Sequence, residues 1–402
     1  MKNLIAITLF TALLTASYSG AETITLPADP PAKRTIELVE QWRLGDDEED
    51  VLLGVISFAA IDEAGQVYLV DRQLSQVLVV GPDGELITIL GREGEGPGEL
   101  NQPHAMILLD EGAVGVVQGF PGRIIGIKSD GTPAGDITLG GGAEEGGFSF
   151  VRECLRVGDH LIANTGRMVF DMGTGKAKRT KTLAVYNMQG TLITSLAEHA
   201  MDSDLTRQVF DEVGNFSEMN IWTPGAQGLV YTTPSHEEYK VSVRQLTGET
   251  LRTIQRPFTP RKRTQAEKDA MTDGIRMVMD GQRIEVENKA LDTDQAIRDL
   301  AVADDGRLFI TNCYQQRTHL PEGTAAQYDV VSTTGEFIEE LTLLVPEFDG
   351  DQDVLFFMDG QHFVVLKNFE SASTAMDSQG GGSGDDNEEE AEPFAVIFMT
   401  MP

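Results

Sequence analysis

The chain has 402 residues, with 64 acidic and 31 basic side chains and a formal net charge of −33 at pH 7. A surface this negative repels nucleic-acid phosphates, which argues against a nucleic-acid partner and instead suits cations, basic partners or a saline environment. The only cysteines, Cys154 and Cys313, give no disulfide framework of the kind seen in small secreted domains. We expect both to be buried thiols.

The N-terminal segment has the three parts of a secretory signal peptide. Met1–Asn3 carry one positive charge, an apolar run follows from Leu4 to Ala16, and small residues lead to a cleavage position after Ala21. Residues 1–21 are therefore the predicted signal peptide and residues 22–402 the mature domain. No later apolar run approaches the length of a membrane span. The sequence predicts an exported, monomeric protein, periplasmic or extracellular, without a membrane span.

A unit of short strands separated by glycine turns recurs along the chain. Its clearest copy spans Ile61–Pro103, where three β-rich runs are punctuated by turn residues. One such unit cannot bury its own faces, so it must be repeated around a common core. The inner-turn glycine recurs in six units, at Gly65, Gly112, Gly158, Gly228, Gly306 and Gly360. The outer-turn glycine recurs in five, at Gly84, Gly131, Gly190, Gly248 and Gly335.

The two ends of the chain supply the missing outer strand of the sixth unit. Phe394–Met399 is a predicted third strand without a fourth, and Ile36–Leu44 is a predicted strand that precedes the first unit. Pairing the two closes a ring and removes the sheet edges that an open array would expose. A solenoid, the competing repeat fold, needs no strand from the other terminus. The sequence therefore predicts an all-β fold, a six-bladed β-propeller whose last blade is closed by the N-terminal strand.

Three stretches of the first unit resemble NHL-type repeats, most closely those of exported bacterial six-bladed propellers: Asp62–Asp71, Pro82–Leu86 and Gly91–Pro103. The resemblance implies the propeller fold, but the functions of that group are diverse and it names no substrate. Some six-bladed propellers are lactonases that hold calcium in the channel with Glu, Asn and Asp side chains. Others are lyases that use His.

The long insertions fall in loops that share one face of a propeller, those joining second to third strands or one blade to the next. They are Asn164–Lys181, Glu198–Ser217, Thr259–Gln295, Cys313–Ala326 and Lys367–Pro393. Insertions concentrated on one face of a rigid scaffold predict a binding surface, and neutral drift on a stable ring is the alternative. The first insertion also carries a local basic patch, formed by Lys176, Lys178, Arg179 and Lys181.

The Thr259–Gln295 insertion carries helix signals. Thr264 and Glu267 form a capping box, and apolar residues follow at helical spacing, so we predict a helix over about 264–280. This helix either packs over the ring or forms a lid with a cationic hinge near an anionic ligand. The hinge residues are Arg256, Arg261, Lys262 and Arg263. The polar stretch over residues 371–392 is predicted to be a flexible acidic loop.

Polar residues recur at one position of the predicted first strands. Counting back eight residues from each inner-turn glycine gives Ser57, His104, Phe150, Asn220, Arg298 and Gln352. Five of these six are polar where a buried strand would favour apolar residues, and convergent polar groups in a central funnel suit a ligand site. The predicted ligand-binding residues at the channel mouth are therefore Ser57, His104, Asn220, Arg298 and Gln352. A one-residue slip in phase would turn a side chain away from the channel.

A second set of polar residues ends the second strands: Asp71, Gln118, Asn164, Thr233 and Asn312. Such side chains bond nearby backbone amides, so we interpret them mainly as turn caps. No Ser-His-Asp set, carboxylate pair or cysteine nucleophile identifies catalytic residues in the sequence. The sequence thus predicts a propeller that binds a small molecule, glycan or protein through its decorated face, without a cofactor. A calcium-dependent hydrolase, a lactonase or a lyase with its site in the channel is the alternative.

Overall fold

The computed structural model describes residues 21–45, 51–140, 147–171, 173–204, 208–273, 278–279, 282–283, 286–379 and 394–402. Six small antiparallel sheets lie in a ring, so the protein is a six-bladed β-propeller, as the repeat predicts. All eleven turn glycines that define the repeat have φ between 55° and 93°. This left-handed backbone is the conformation that favours glycine. Residues 1–20 of the predicted signal peptide lie outside the described residues.

Three strands precede the first blade: β1 (Glu22–Thr25), β2 (Lys33–Glu37) and β3 (Val39–Leu44). Blade 1 consists of β4 (Ile56–Ile61), β5 (Val67–Asp71), β6 (Gln76–Val80) and β7 (Leu86–Leu90). Blade 2 consists of β8 (Pro103–Leu108), β9 (Val114–Gln118), β10 (Arg123–Ile127) and β11 (Pro133–Ile137). Blade 3 has much longer strands: β12 (Gly147–Val157), β13 (His160–Asp171), β14 (Lys176–Asn187) and β15 (Leu192–Asp204).

A short strand and a helical turn, β16 (Gln208–Asp211) and α1 (Glu212–Asn215), lead into the next blade. Blade 4 consists of β17 (Trp222–Gly225), β18 (Leu229–Thr232), β19 (Lys240–Gln245) and β20 (Thr250–Gln255). The insertion after it contains α2 (Gln265–Asp273), β21 (Val278–Met279), β22 (Gln282–Arg283) and β23 (Val286–Lys289). Blade 5 consists of β24 (Ile297–Val302), β25 (Leu308–Asn312), β26 (Thr324–Val331) and β27 (Phe337–Leu344). Blade 6 contains β28 (Val354–Phe357), β29 (His362–Lys367), α3 (Phe369–Gln379) and β30 (Ala395–Thr400).

The N-terminal residues 22–44, which we call the strap, pair with three blades in succession. Strand β1 adds in parallel to β20 of blade 4, and β2 adds in parallel to β27 of blade 5. Strand β3 then pairs antiparallel with β30 and completes blade 6. The predicted closure is confirmed, but the predicted strand Ile36–Leu44 is divided between two blades. The buried Leu38, whose N–H donates to the Leu344 carbonyl at 2.9 Å, separates the two parts.

The core consists of six apolar clusters, one between each pair of neighbouring blades. The strap contributes to three of them, through Leu26 between blades 4 and 5, Leu38 between blades 5 and 6, and Trp42 between blades 6 and 1. The Trp42 ring stacks on Phe398 with centroids 5.1 Å apart. Ring closure is therefore a packing interaction as well as a strand pairing.

The insertions are more regular than the sequence suggests. The predicted loop Asn164–Lys181 is a β-hairpin, because β13 and β14 stay paired up to Asp171 and Lys176. The capping box is confirmed: the Thr264 N–H donates to Glu267 Oε2 at 2.6 Å, and the Glu267 N–H donates to Thr264 Oγ1 at 3.2 Å. Helix α2 ends at Asp273 and β21 follows, so the predicted helix does not reach residue 280.

The predicted acidic loop over residues 371–392 is also partly wrong. Its first nine residues belong to α3, which the Gln352 carbonyl supports by accepting the Glu370 N–H at 3.1 Å. Residues 380–393 lie outside the described part of the chain. Both cysteines are free and buried, as expected. Within the described residues, no helix is both long and apolar enough to cross a membrane.

Replacing Trp42 by alanine should lower the free energy of unfolding by about 3–5 kcal/mol, because a large buried side chain is removed from the closing interface. Val39, on the same strand but 46% exposed, is the matched control, and its alanine variant should stay within about 0.5 kcal/mol of the natural protein. Urea unfolding followed by circular dichroism measures both values. Equal effects at the two positions would contradict a closing role for Trp42.

Candidate functional site at the channel mouth

The first strands of the blades face the axis of the ring, where β4, β8, β12, β17 and β24 contact their neighbours in sequence. Four of these strands carry a β-bulge, at Ser57, His104, Arg152 and Arg298, which is the second residue of its strand in three of them and lies in the middle of the longer β12. A bulged residue has no partner on the neighbouring strand, so its side chain is directed away from the regular sheet. The bulges therefore place a ring of side chains at one end of the channel, which we call the mouth.

Three predicted site residues, Ser57, His104 and Arg298, are these bulge residues. In blade 3 the bulge falls on Arg152, and Phe150 instead pairs with Gly166. In blade 3, counting back eight residues from the inner-turn glycine goes past the bulge. The reason is that the inner turn is short there, since Val157 pairs directly with His160. In blade 1 the corresponding turn spans five residues between Ile61 and Val67.

The predicted residues do not all remain available to a ligand. The Ser57 hydroxyl lies 3.3 Å from the Pro103 carbonyl of the next blade and links blades 1 and 2. The Gln352 side chain accepts a hydrogen bond from Ser371 Oγ at 2.6 Å and so supports α3. His104 Nε2 donates to the Arg152 carbonyl at 2.8 Å, and Asn220 Oδ1 accepts from Lys181 Nζ at 3.2 Å. Two predicted residues, His104 and Asn220, thus contact Arg152 and Lys181, which are cations that the predicted site did not include.

Five basic side chains from blades 1, 2 and 3 form what we call the mouth cluster: Arg72, His104, Arg152, Arg179 and Lys181. Burial lowers the pKa of His104, and the charges of Arg72 and Arg152 lower it further, although the bond to the Arg152 carbonyl opposes them. Burial also lowers the pKa of Lys181, followed by the charges of Arg152 and Arg179. The charge of Arg152 thus acts on both His104 and Lys181.

Lys181 is the least ordinary member of the mouth cluster. Only 6% of the residue is exposed, and its ammonium group has a single hydrogen bond, to the neutral Asn220 amide. An ammonium group has three N–H donors. Arg179 Nε is also buried without a hydrogen-bond partner. Among the described residues, no carboxylate lies within ion-pair distance of the mouth-cluster cations.

Most cations of the predicted hinge, unlike those of the mouth cluster, form ion pairs. Arg256 pairs with Asp329 at 3.1 Å, Arg261 with Asp294 at 2.6 Å, and Arg263 with Glu212 and Asp294 at 2.7 Å each. These ion pairs already neutralise three of the four hinge cations. The fourth hinge cation, Lys262, is exposed to water, so among the described residues of these two regions the buried cation without an ion pair is Lys181 at the mouth.

Two carboxyl groups lie just beyond the bulges. Glu153 follows Arg152 and Asp299 follows Arg298, at matching positions of β12 and β24, on either side of blade 4. Burial raises the pKa of Glu153 to about 7, with a further contribution from the charge of Asp299. Burial raises the pKa of Asp299 to about 6. The Asp299 residue is nevertheless exposed to water.

The Trp222 indole completes this lower level of the channel. It is 5% exposed, and its Nε1 lies near the Glu153 carboxyl, whose pKa it lowers, without reaching hydrogen-bond geometry. Glu153 and Asp299 were not predicted from the sequence because they lie on blades 3 and 5, and only the fold brings them near one another. The dipeptides Arg152-Glu153 and Arg298-Asp299, at equivalent positions of two blades, were the available signal.

Two of the five residues of the second polar ring act as predicted, whereas the side chains of Gln118, Asn164 and Thr233 donate to backbone carbonyls. Asp71 accepts the Gly54 and Leu74 N–H groups, and Asn312 accepts the Tyr314 N–H, so both cap turns. Asn164 differs, since its Nδ2 donates to the Met219 carbonyl and joins blade 3 to the connection before blade 4. Within the described residues, no group of three or more His, Cys, Asp or Glu side chains is arranged to hold a metal ion.

A cleft of about 630 Å³ lies between blades 2 and 3. Hydroxyls of Thr165, Thr180 and Thr182 line it, together with Arg167 and Glu198. Arg167 has an interaction partner in the structure, so it is not an unpaired cation. The mouth is the better candidate site because its charges are unpaired.

Replacing Glu153 by glutamine should stabilise the fold more at pH 8 than at pH 5. The raised folded-state pKa of about 7 means that between pH 4.5 and 7 the unfolded chain releases its proton first, so the natural protein loses stability as pH rises. With allowance for water in the channel, the difference should reach on the order of 2 kcal/mol. Urea unfolding across this pH range measures it. Glu111→Gln, in an exposed turn, is the matched control, and a pH dependence shared by both variants would contradict the explanation.

Comparisons with known proteins agree with the fold and go no further. No protein-family model matches the sequence, and no curated protein matches it. Solved structures that resemble it include an exported protein of Bacteroides fragilis, with 10% identity over 94% of this chain and 99% of that one, at a TM-score of 0.48. A DUF4221-family member from Bacteroides vulgatus has 11% identity over 91% and 98%, also at 0.48. Virginiamycin B lyase from Staphylococcus aureus has 10% identity over 90% and 99%, at 0.41. Similarity at this level does not extend the activities of those proteins to this chain.

Proposed function

We propose that this protein is an exported binding protein whose channel mouth holds a small anionic ligand. The observation that carries the proposal is Lys181, a cation that is 6% exposed and has one neutral hydrogen-bond partner. Removing an ammonium group from water costs several kcal/mol unless an opposite charge compensates. A bound anion would supply that charge and accept the remaining N–H donors.

The neighbouring cations suit the same ligand. Arg152 is exposed at its bulge, and Arg179 lies two residues before Lys181, on the same face of β14. Planar guanidinium groups bind carboxylate and phosphate oxygens through paired hydrogen bonds. The chain as a whole has about two acids for each base, so cations without a carboxylate partner are unexpected unless a ligand provides one.

The alternative of a calcium-dependent hydrolase or lyase has less support. Glu153 and Asp299 are two carboxyl groups in the channel, but no third His, Cys, Asp or Glu side chain joins them among the described residues. Export, a monomeric state and a relationship to NHL-type repeats remain part of the proposal. They are supported by the N-terminal sequence pattern and by the glycine-punctuated unit over Ile61–Pro103.

Replacing Lys181 by methionine should weaken anion binding at least about tenfold while leaving the melting temperature unchanged or higher, because an uncompensated buried charge is removed. Thermal melts in increasing phosphate or acetate at fixed ionic strength measure binding. A site-specific anion stabilises the fold by about 2.7 kcal/mol at a hundredfold excess over its Kd.

Arg263→Met is the matched control for burial, since Arg263 is as buried but doubly ion-paired. It should lower stability by about 3–5 kcal/mol. Lys128→Gln controls for net charge, because Lys128 is exposed on an outer turn at the opposite end of the ring. If phosphate and acetate stabilise the natural protein and the Lys181→Met variant equally, the proposal fails.

A further inference from the structure

Three phenylalanine side chains lie together beside the mouth cluster. The rings of Phe120 and Phe148 are perpendicular with centroids 5.5 Å apart, and the rings of Phe148 and Phe170 lie 5.6 Å apart at 37°. Phe120 is 63% exposed, and the other two are partly exposed. We call these three residues the aromatic wall. Rings in mutual contact that remain open to water have apolar surface that a ligand can cover.

The strand register of blade 3 places the wall and the cations on one face of its sheet. Phe148 is directly opposite Met168 on β13, and Met168 is directly opposite Arg179 on β14. Residues opposite one another on paired strands project from the same face, with Cβ atoms about 5 Å apart. One row therefore runs from an aromatic ring through a thioether to a guanidinium group.

A second row on the same face lies two residues away and joins Phe150, Gly166 and Lys181. A side chain at Gly166 would overlap the Phe150 ring, so that ring lies flat over the glycine. The two rows are separated by about 7 Å along the strands. A ligand whose ring contacts the first row can therefore place an anionic group at Lys181 in the second.

Blade 2 adds the other side of this surface. Phe120 follows Gly119, and a side chain at Gly119 would come within 3.3 Å of the His104 ring. Phe120 thus lies next to the mouth cluster while its ring contacts Phe148 across the boundary between blades 2 and 3. Blades 2 and 3 thus each place aromatic surface next to unpaired positive charge.

We propose that the anion bound at the mouth is an aryl anion, whose carboxylate or phosphate contacts Lys181, Arg179 and Arg152 while its ring packs against the aromatic wall. This inference rests on the proposed function, because it names the chemical class of the ligand for the same site. The cations alone would accept any small oxyanion, whereas the wall distinguishes an aryl group from a methyl group.

The test compares four probes at fixed ionic strength by isothermal titration calorimetry: acetate, benzoate, inorganic phosphate and phenyl phosphate. Benzoate should bind at least about tenfold more tightly than acetate, or phenyl phosphate than phosphate, a gain of about 1.4 kcal/mol. The pair that shows the larger gain identifies the anionic group. Phe148→Ala should abolish the gain without changing the affinity for acetate or phosphate, and Lys181→Met should weaken all four.

Phe120→Ala is the second aromatic variant. Because the Phe120 side chain is highly exposed, its removal should not impair folding. Tyr314→Ala, which removes a 49% exposed ring on blade 5, is the matched control and should leave every affinity unchanged. Equal affinities for acetate and benzoate and for the two phosphates, still sensitive to Lys181→Met, would overturn the aryl class and leave the anion site intact. If the Lys181→Met variant still binds benzoate, the inference is overturned, because the aromatic ring would then bind without a contact between the carboxylate and Lys181. If none of the four probes binds in a Lys181-dependent way, both proposals fail.

Discussion

Each blade of this protein can bury its faces only against its neighbours, and every other feature depends on that constraint. The core is distributed over six interfaces, so no blade has an interior of its own. An open ring would leave one face of two blades in water, together with the edge of β30. Closure by β3, with Trp42 packed on Phe398, removes both exposures at once. The channel and its mouth exist only because the ring is closed.

The mouth illustrates how a stable scaffold holds groups that are unfavourable in themselves. In the insertion after blade 4, buried cations such as Arg263 have carboxylate partners, which is the arrangement that favours folding. At the mouth, Lys181 is equally buried and has none. Beneath it, Glu153 and Asp299 are held where ionisation is disfavoured. Such departures from optimal pairing are typical of binding and catalytic sites, where interaction with a ligand matters more than stability.

The architecture could be predicted from the sequence because glycine spacing and strand alternation are local signals with a direct physical cause. The eight-residue count selected Ser57, His104 and Arg298, which occupy β-bulges in the structure, but in blade 3 it selected Phe150, whereas the tight turn there puts the bulge at Arg152. The mouth cluster could not be predicted in this way. Arg72, Lys181 and His104 lie on different blades, and only the closed ring brings them together. The helical conformation of the residues after Phe369 was missed for a similar reason, since its support comes from Gln352, in the turn before β28.

The strap has a consequence for the order in which the molecule can assemble. Glu22 pairs with Arg252, Lys33 with Glu340 and Leu44 with Val396, so the strap is synthesised early but finds its partners only in the second half of the chain. Contacts between residues so distant in sequence form slowly, because a long loop must close before they contribute. Until the final strand β30 is available, strand β3 has no partner and the interface between blades 6 and 1 is open. The nascent chain thus passes through a period in which the strap is unpaired, and the ring can close only once β30 has been synthesised.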